Sequence, residues 1–170
     1  MKQMRHTILL AEDDPNDQIL IKLALRNNGF NYPIHVVNDG AQAVAYLKGE
    51  GRYADRATFE FPTFIITDLK MPVLDGFGVL QFLRSQPEFG VIPTIILSAS
   101  SDEDDIKKAF LVGSHSYFTK PRDLTELEAL LKRIIEYWSE CEVPQVHATG
   151  KMLMTESHGK LGERIPQPGA

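Results

Sequence analysis

Short apolar runs alternate with longer amphipathic stretches along the chain. Ile8–Ala11, Ile34–Val37, Phe64–Thr67, Thr94–Leu97 and Ser116–Thr119 are brief, largely apolar runs and read as strands. The stretches between them carry helical spacing. They predict helices over Pro15 to about Asn28, Gly40–Lys48, Gly76–Arg84 and Asp102–Val112, and a fifth starting at Asp123. Asp14 suits an N-cap, Pro15 a first helical position and Gly29 a stop. Asp123 and Glu126 have capping-box spacing. In the first helix Ile19, Leu20, Leu23 and Ala24 follow the helical period only partly, which predicts a buried stripe nearer its N-terminal half. Ala41, Val44, Ala45 and Leu47 are predicted to face inward from the second helix, and Val79, Leu80, Phe82 and Leu83 from the third. Leu127, Leu130, Leu131, Ile134 and Trp138 form the stripe of the fifth. Five strand–helix units with strands apolar on both faces predict an α/β fold, (βα)5, with five parallel strands and helices on both faces of the sheet.

Two segments stand outside this alternation. Gly49 to Pro62 is long for a connection in an α/β unit. Residues 141–170 hold three prolines and four glycines, and read as a flexible appendage with one short contact segment, Lys151–Met154. The division expected is a domain over 1–140 and a tail over 141–170 with no effector domain.

Composition narrows the function. The 170 residues are 43% hydrophobic and 24% charged, the balance of a soluble globular protein. The net charge of −5 comes without a basic cluster, which argues against nucleic acid. Residues 141–170 balance three acids against three bases, so the negative excess lies in residues 1–140. No apolar run reaches the roughly 18 residues of a membrane span. Cys141 is alone, which excludes an internal disulfide. The expectation is a cytoplasmic protein.

The chemistry gathers at the strand ends. Strand one runs into Glu12, Asp13 and Asp14, strand three into Asp68, strand four into Ser98, and strand five into Lys120 followed by Pro121. In a parallel sheet these ends share one edge, where such folds bind ligands. Two carboxylates about 4 Å apart repel by roughly 1 kcal/mol in water and roughly 4 kcal/mol at an effective dielectric of 20. Glu12, Asp13 and Asp68 together therefore call for a cation, and a hard divalent ion such as Mg²⁺ suits oxygen donors. Carboxylate, metal, the Lys120 ammonium and the Ser98 hydroxyl suit phosphoryl transfer onto Asp68. Plainer readings exist for single members. Asp14 reads better as a helix cap than as a ligand, and Lys120 alone could be a turn residue. Asp68 interrupts an apolar strand edge with no helix directly after it, so capping explains it poorly.

The segments "LLAEDD" (Leu9–Asp14), "TDLKMPVLDG" (Thr67–Gly76), "IILSAS" (Ile95–Ser100) and "YFTKP" (Tyr117–Pro121) resemble the receiver domains of two-component response regulators, over about Thr7 to Trp138. The resemblance implies a flavodoxin-like doubly wound sheet and a phosphoprotein without an enzymatic role toward other substrates. It implies Asp68 as the phosphoacceptor for a sensor histidine kinase. Direct Mg²⁺ ligation falls to Asp13 and Asp68, with Glu12 mostly through water and Lys70 through its backbone carbonyl. Mn²⁺ is a possible substitute. Lys120 would pair with the phosphoryl oxygens, across a cis Lys120–Pro121 bond. Ser98 and Tyr117 would form the switch. Glu12 departs mildly from the commoner Asp. The loop with "GRYAD" (Gly51–Asp55), the segment "NDGAQAVAYLKGEG" and "YW" at Tyr137–Trp138 are similar to stand-alone response regulators that partner bacterial phytochromes. That narrower likeness implies a phytochrome kinase as partner and leaves a homodimer open. The loop itself could equally be an inert insertion whose Tyr53 and Phe59 pack back on the domain.

Three rivals share the topology. A pseudo-receiver would not need the full residue set. A flavin- or nucleotide-binding protein would need phosphate-accepting amides after strand one, where "EDDPND" repels phosphate. An aspartyl phosphatase would need an acid two residues after its nucleophile, and position 70 is Lys. Output is expected through binding of a downstream protein, with neither nucleic acid nor membrane as partner. Phe110, Tyr117 and Phe118 are candidates for that surface, though Phe110 and Phe118 read more readily as core.

Overall fold

A computed structural model describes residues 6–142. Residues 143–170 lie outside it, and with them most of the expected tail. Five strands, β1 (Ile8–Ala11), β2 (Ile34–Val37), β3 (Phe64–Thr67), β4 (Thr94–Ser98) and β5 (Ser116–Thr119), alternate with five helices, α1 (Pro15–Asn27), α2 (Gly40–Lys48), α3 (Gly76–Ser85), α4 (Glu103–Val112) and α5 (Leu124–Glu140). All strands pair in parallel, in the order β2-β1-β3-β4-β5. This is the flavodoxin-like doubly wound topology. The chain reverses its direction of travel across the sheet between β1 and β3, and the carboxyl ends of those two strands form the switch-point crevice.

Alternation along the strands feeds two opposite cores. Ile8, Leu10, Phe64, Ile66, Ile95 and Leu97 face α1 and α5, where they meet Ile21, Leu25, Leu127, Leu131 and Ile134. Leu9, Ala11 and Ile65 face the other way, toward Ala43, Tyr46, Leu47, Val79 and Leu83 of α2 and α3. Ile96 joins Leu69, Phe77, Leu80 and Ala109 under α3 and α4. Each such side chain taken fully from water contributes about 1.5–3 kcal/mol.

Every helix starts on an aspartate. Asp14, Asp39, Asp75, Asp102 and Asp123 each accept backbone N–H bonds at their helix N-terminus, satisfying donors that have no partner within the helix. Asp14 is thus the cap that the sequence suggests, and Asp123 accepts from the Glu126 N–H at 2.9 Å.

Two stripes differ from the sequence reading. In α1 the buried residues are Ile21, Ala24 and Leu25, while Ile19, Leu20 and Leu23 are exposed by 59%, 38% and 42%. The helix carries apolar residues on two sides. Packing against α5 selects the side that carries Ile21, Ala24 and Leu25, which share one core with Leu127, Leu130, Leu131 and Ile134. In α2 Ala43, Tyr46 and Leu47 are buried and Ala41 is exposed. Tyr46 can turn inward because its hydroxyl finds a partner, the Glu60 carbonyl at 2.6 Å. Phe110, read as core, is 51% exposed, whereas Phe118 packs on the α1–α5 core.

The long connection is packed. A 3₁₀ turn at Gly51–Tyr53 buries Tyr53. Tyr53 and Phe59 close an aromatic cluster with Tyr46 and His35, with ring centroids 5.2–6.1 Å apart. Arg56 ties the loop to the end of α2, donating to the Leu47 carbonyl at 2.7 Å.

Candidate functional site: a carboxylate edge bridged by lysine

Asp68 follows β3 directly. Its backbone N–H continues the ladder to the Ala11 carbonyl at 2.9 Å, which locks the residue to the end of β1. Its side chain is held at both oxygens. Oδ1 accepts the Leu69 N–H at 2.6 Å and, at 3.4 Å, the Lys70 N–H. Oδ2 accepts from the Lys120 ammonium at 2.9 Å. Gly76 lets α3 start close against this loop. A methyl there would collide with the Asp68 carbonyl oxygen and reach within 2.9 Å of the Leu69 Cα.

Glu12 and Asp13 follow the end of β1 directly. Glu12 is buried and Asp13 exposed, yet one oxygen from each lies within 4.8 Å of the other and of Asp68. Glu12 Oε1 accepts the Asp14 N–H at 3.1 Å and Oε2 accepts from Lys120 at 2.6 Å. Burial pushes the Glu12 carboxyl above the usual range, against the pull of Lys120. Burial works on Lys120 in the opposite sense, but hydrogen bonds to Asp17, Glu12 and Asp68 outweigh it and hold the ammonium protonated.

The donor set fits a hard divalent cation. Glu12, Asp13 and Asp68 carry three negative charges against the single positive charge of Lys120, and three carboxylate oxygens converge. Mg²⁺ is typically bound through one or two carboxylates, with waters and phosphate oxygens completing its octahedron.

The remaining expected residues lie around this core. Ser98 ends β4 wholly buried, its carbonyl accepting the Lys120 N–H at 2.8 Å. Its Oγ receives a long 3.4 Å bond from the Ser100 N–H. Tyr117 is half-buried, and its hydroxyl donates to the Ser100 carbonyl at 2.8 Å. Burial pushes its phenol up. No peptide bond among the described residues is cis, so Lys120–Pro121 is trans, against expectation. The trans isomer is intrinsically favoured even before proline, and Lys120 reaches three carboxylates from it.

Two acids escaped the sequence reading. Asp17, in the first turn of α1, accepts from Lys120 at 2.7 Å. Asp105, in the first turn of α4, bridges Lys70 Nζ at 2.9 Å and Ser100 Oγ at 2.7 Å. First-turn acids suit a helix dipole on their own, which masks any second use. The spacing of Asp17 one turn after Asp14 was the only available signal.

Side chains from β1, β3 and β5 thus converge on an acidic edge with one lysine, the arrangement of a phosphoacceptor signalling module. Residues 8–132 match the family described as response regulator receiver domain, and the chain belongs to that family. Among its relatives, the response regulator Rcp1 of Synechocystis sp. is 31% identical over 133 residues, 78% of this chain and 88% of Rcp1. The structure of the phosphorylated cyanobacterial phytochrome response regulator RcpA superposes with a TM-score of 0.77 at 36% identity, covering 84% of this chain and all of RcpA. The Mn²⁺-bound form of Rcp1 gives a TM-score of 0.73 at 30% identity, covering 82% and 99%. The family implies a cognate histidine kinase. No helix among the described residues is long and apolar enough to cross a membrane.

Proposed function

We propose that Asp68 accepts a phosphoryl group from the phosphohistidine of a sensor histidine kinase, in a Mg²⁺-dependent reaction. The observation that carries this reading is the Asp68 carboxylate itself, 8% exposed, bonded to Lys120 and facing Glu12 and Asp13. In the transfer an Asp68 oxygen forms the new O–P bond as the N–P bond to the histidine breaks. The imidazole nitrogen departs with that bond's electron pair. The Leu69 and Lys70 N–H groups and Lys120 orient the carboxylate beforehand, so attack needs little reorganisation. Lys120 then donates to a phosphoryl oxygen and offsets its charge. Glu12, Asp13, Asp68 and the Lys70 carbonyl would hold the cation, which when bound neutralises phosphoryl oxygens as a Lewis acid; Mn²⁺ serves the same donors.

Ser98 and Tyr117 are the switch in this reading. Ser98 Oγ takes a long bond from the Ser100 N–H and lies within hydrogen-bonding reach of the Tyr117 hydroxyl, so its turn to the phosphoryl group would disturb both. That movement loosens the Ser100 segment to which Tyr117 is bonded, and Tyr117 follows inward. The change alters the face of α4, β5 and α5, where Phe110 and Leu111 are exposed, and partner binding reads it out by population shift. The likeness to RcpA, a cyanobacterial phytochrome response regulator, supports a phytochrome kinase as donor, and the proposal extends to a cytoplasmic setting and a homodimer as one form of partner.

The test is incubation with acetyl phosphate and Mg²⁺ followed by intact mass measurement. One added phosphoryl group is expected on the parent and none on Asp68→Asn. Equal modification of both would overturn the assignment.

A further inference from the structure

The Lys120 ammonium has three N–H bonds to give. All three are taken by carboxylates: Glu12 Oε2 at 2.6 Å, Asp17 Oδ2 at 2.7 Å and Asp68 Oδ2 at 2.9 Å. Asp17 differs from the other two. It comes from a helix rather than a strand end, and it lies outside the set of acids whose oxygens converge for a cation.

A phosphoryl oxygen on Asp68 needs a donor from this ammonium, so one existing bond must be given up. Burial decides which. The Glu12 side chain is 1% exposed, and losing Lys120 would leave a buried carboxylate unpaired, which is strongly unfavourable. Asp68 carries the phosphoryl group, so the ammonium stays at Asp68 and the phosphoryl oxygen becomes a fourth claimant on its three N–H bonds. The Asp17 side chain is 36% exposed, and water can replace the ammonium there.

Resting on the phosphoacceptor reading of Asp68, we propose that Asp17 is a positioning residue. It tethers the Lys120 ammonium in the unphosphorylated protein and releases it when a phosphoryl oxygen takes its place. The tether joins α1 to the segment after β5, so its release also uncouples those two elements. Asp17 thereby opposes the phosphorylated state and sets how readily the site is occupied.

The rival is a purely structural role. Asp17 is the third residue of α1, its N–H bonds Asp14 Oδ1 at 3.3 Å, and a negative charge there favours the helix N-terminus. The two roles predict different binding. The full chain is prepared as parent, Asp17→Asn and Asp17→Glu, and titrated with beryllofluoride, a phosphoryl analogue, at saturating Mg²⁺. Thermal melts run alongside. If Asp17 is a tether, Asp17→Asn binds beryllofluoride more tightly, by up to about fivefold, the worth of a partly exposed ion pair. Asp17→Glu keeps the carboxylate and returns affinity toward the parent's. Unchanged or weaker binding by Asp17→Asn overturns the tether, whatever its melting temperature. If the parent binds no beryllofluoride, the phosphoacceptor reading fails and takes the tether with it. If the parent binds and Asp17→Asn does not tighten, only the role of Asp17 falls.

Discussion

The aromatic cluster under the 49–62 loop and the carboxylate edge of the sheet both bury polar side chains, and they treat them differently. In the cluster the Tyr46 hydroxyl ends on the Glu60 carbonyl and Arg56 ends on the Leu47 and Phe59 carbonyls. The rings of His35, Tyr46, Tyr53 and Phe59 fill the space between. At the sheet edge, Glu12, Asp17 and Asp68 surround one ammonium, and Asp13 lies beside Glu12 and Asp68. The three bonds of the ammonium leave Asp13 without a share of the positive charge. One region closes on itself and stabilises the fold. The other keeps a net negative charge that a cation or a phosphoryl transfer can use. Sites of this kind are where stability is given up for function.

The largest effect is expected in the closed region. Tyr46→Ala removes a fully buried ring and its hydrogen bond, and should destabilise by about 3–5 kcal/mol, the range for large aromatic truncations. Urea unfolding measures this. A loss below about 1 kcal/mol would mean that the loop is not packed as described.

At the open region the sign reverses. Asp13→Asn relieves repulsion among the acids, and at an exposed position this is worth about 1 kcal/mol of added stability without metal. The parent should overtake it when Mg²⁺ is added, since saturation at 100 times Kd stabilises by about 2.7 kcal/mol. Thermal melts with and without Mg²⁺ would break the comparison if Asp13→Asn gained as much from Mg²⁺ as the parent.

Acid should affect the two regions in opposite senses. Burial holds the His35 imidazole below its usual pKa. The unfolded chain therefore binds the proton first, and stability contributed above pH about 6.5 is lost as pH falls through the lower folded value. The ring is only half-buried, so screening keeps the loss below about 1 kcal/mol. Glu12 is raised by burial, so its carboxyl contributes relative stability below its ordinary pKa that is lost as pH rises through the folded value. Melts of the parent between pH 7 and 5.5 should show a loss that His35 shares with the similarly buried His6 and His115, and His35→Gln should make it shallower. A slope no shallower than the parent's would remove His35 from the loss.

The smallest effect concerns lifetime rather than stability. Lys70 pairs with Asp105 at 2.9 Å on the solvent side, its side chain 63% exposed. Lys70→Ala should change the decay rate of the phosphorylated protein without preventing its formation. Unchanged decay kinetics would remove Lys70 from that role.

Much of this was legible in the sequence, for physical reasons. Strands apolar on both faces, aspartates at helix starts and carboxylates at strand ends are local signals. They placed Glu12, Asp13, Asp68, Ser98 and Lys120 on one edge, while Tyr117 came only from the resemblance to receiver domains. The burial of α1 and α2 was misread because Ile19, Leu20 and Leu23 offer a second apolar stripe, and because Tyr46 turns inward only with a distant acceptor at Glu60. The partners of Asp17 and Asp105 were not legible because Lys120 and Lys70 lie far away in the chain. Whether the Lys120–Pro121 bond is cis or trans depends on tertiary context, and the sequence pattern does not carry it.

The most direct measurement is phosphorylation by a small phosphodonor with Mg²⁺ present or chelated, read by intact mass on the parent and on Asp68→Asn. The carboxylate edge as described predicts a single phosphoryl group on the parent, dependent on Mg²⁺, and none on the variant. Modification that persists without the metal, or on Asp68→Asn, would contradict it.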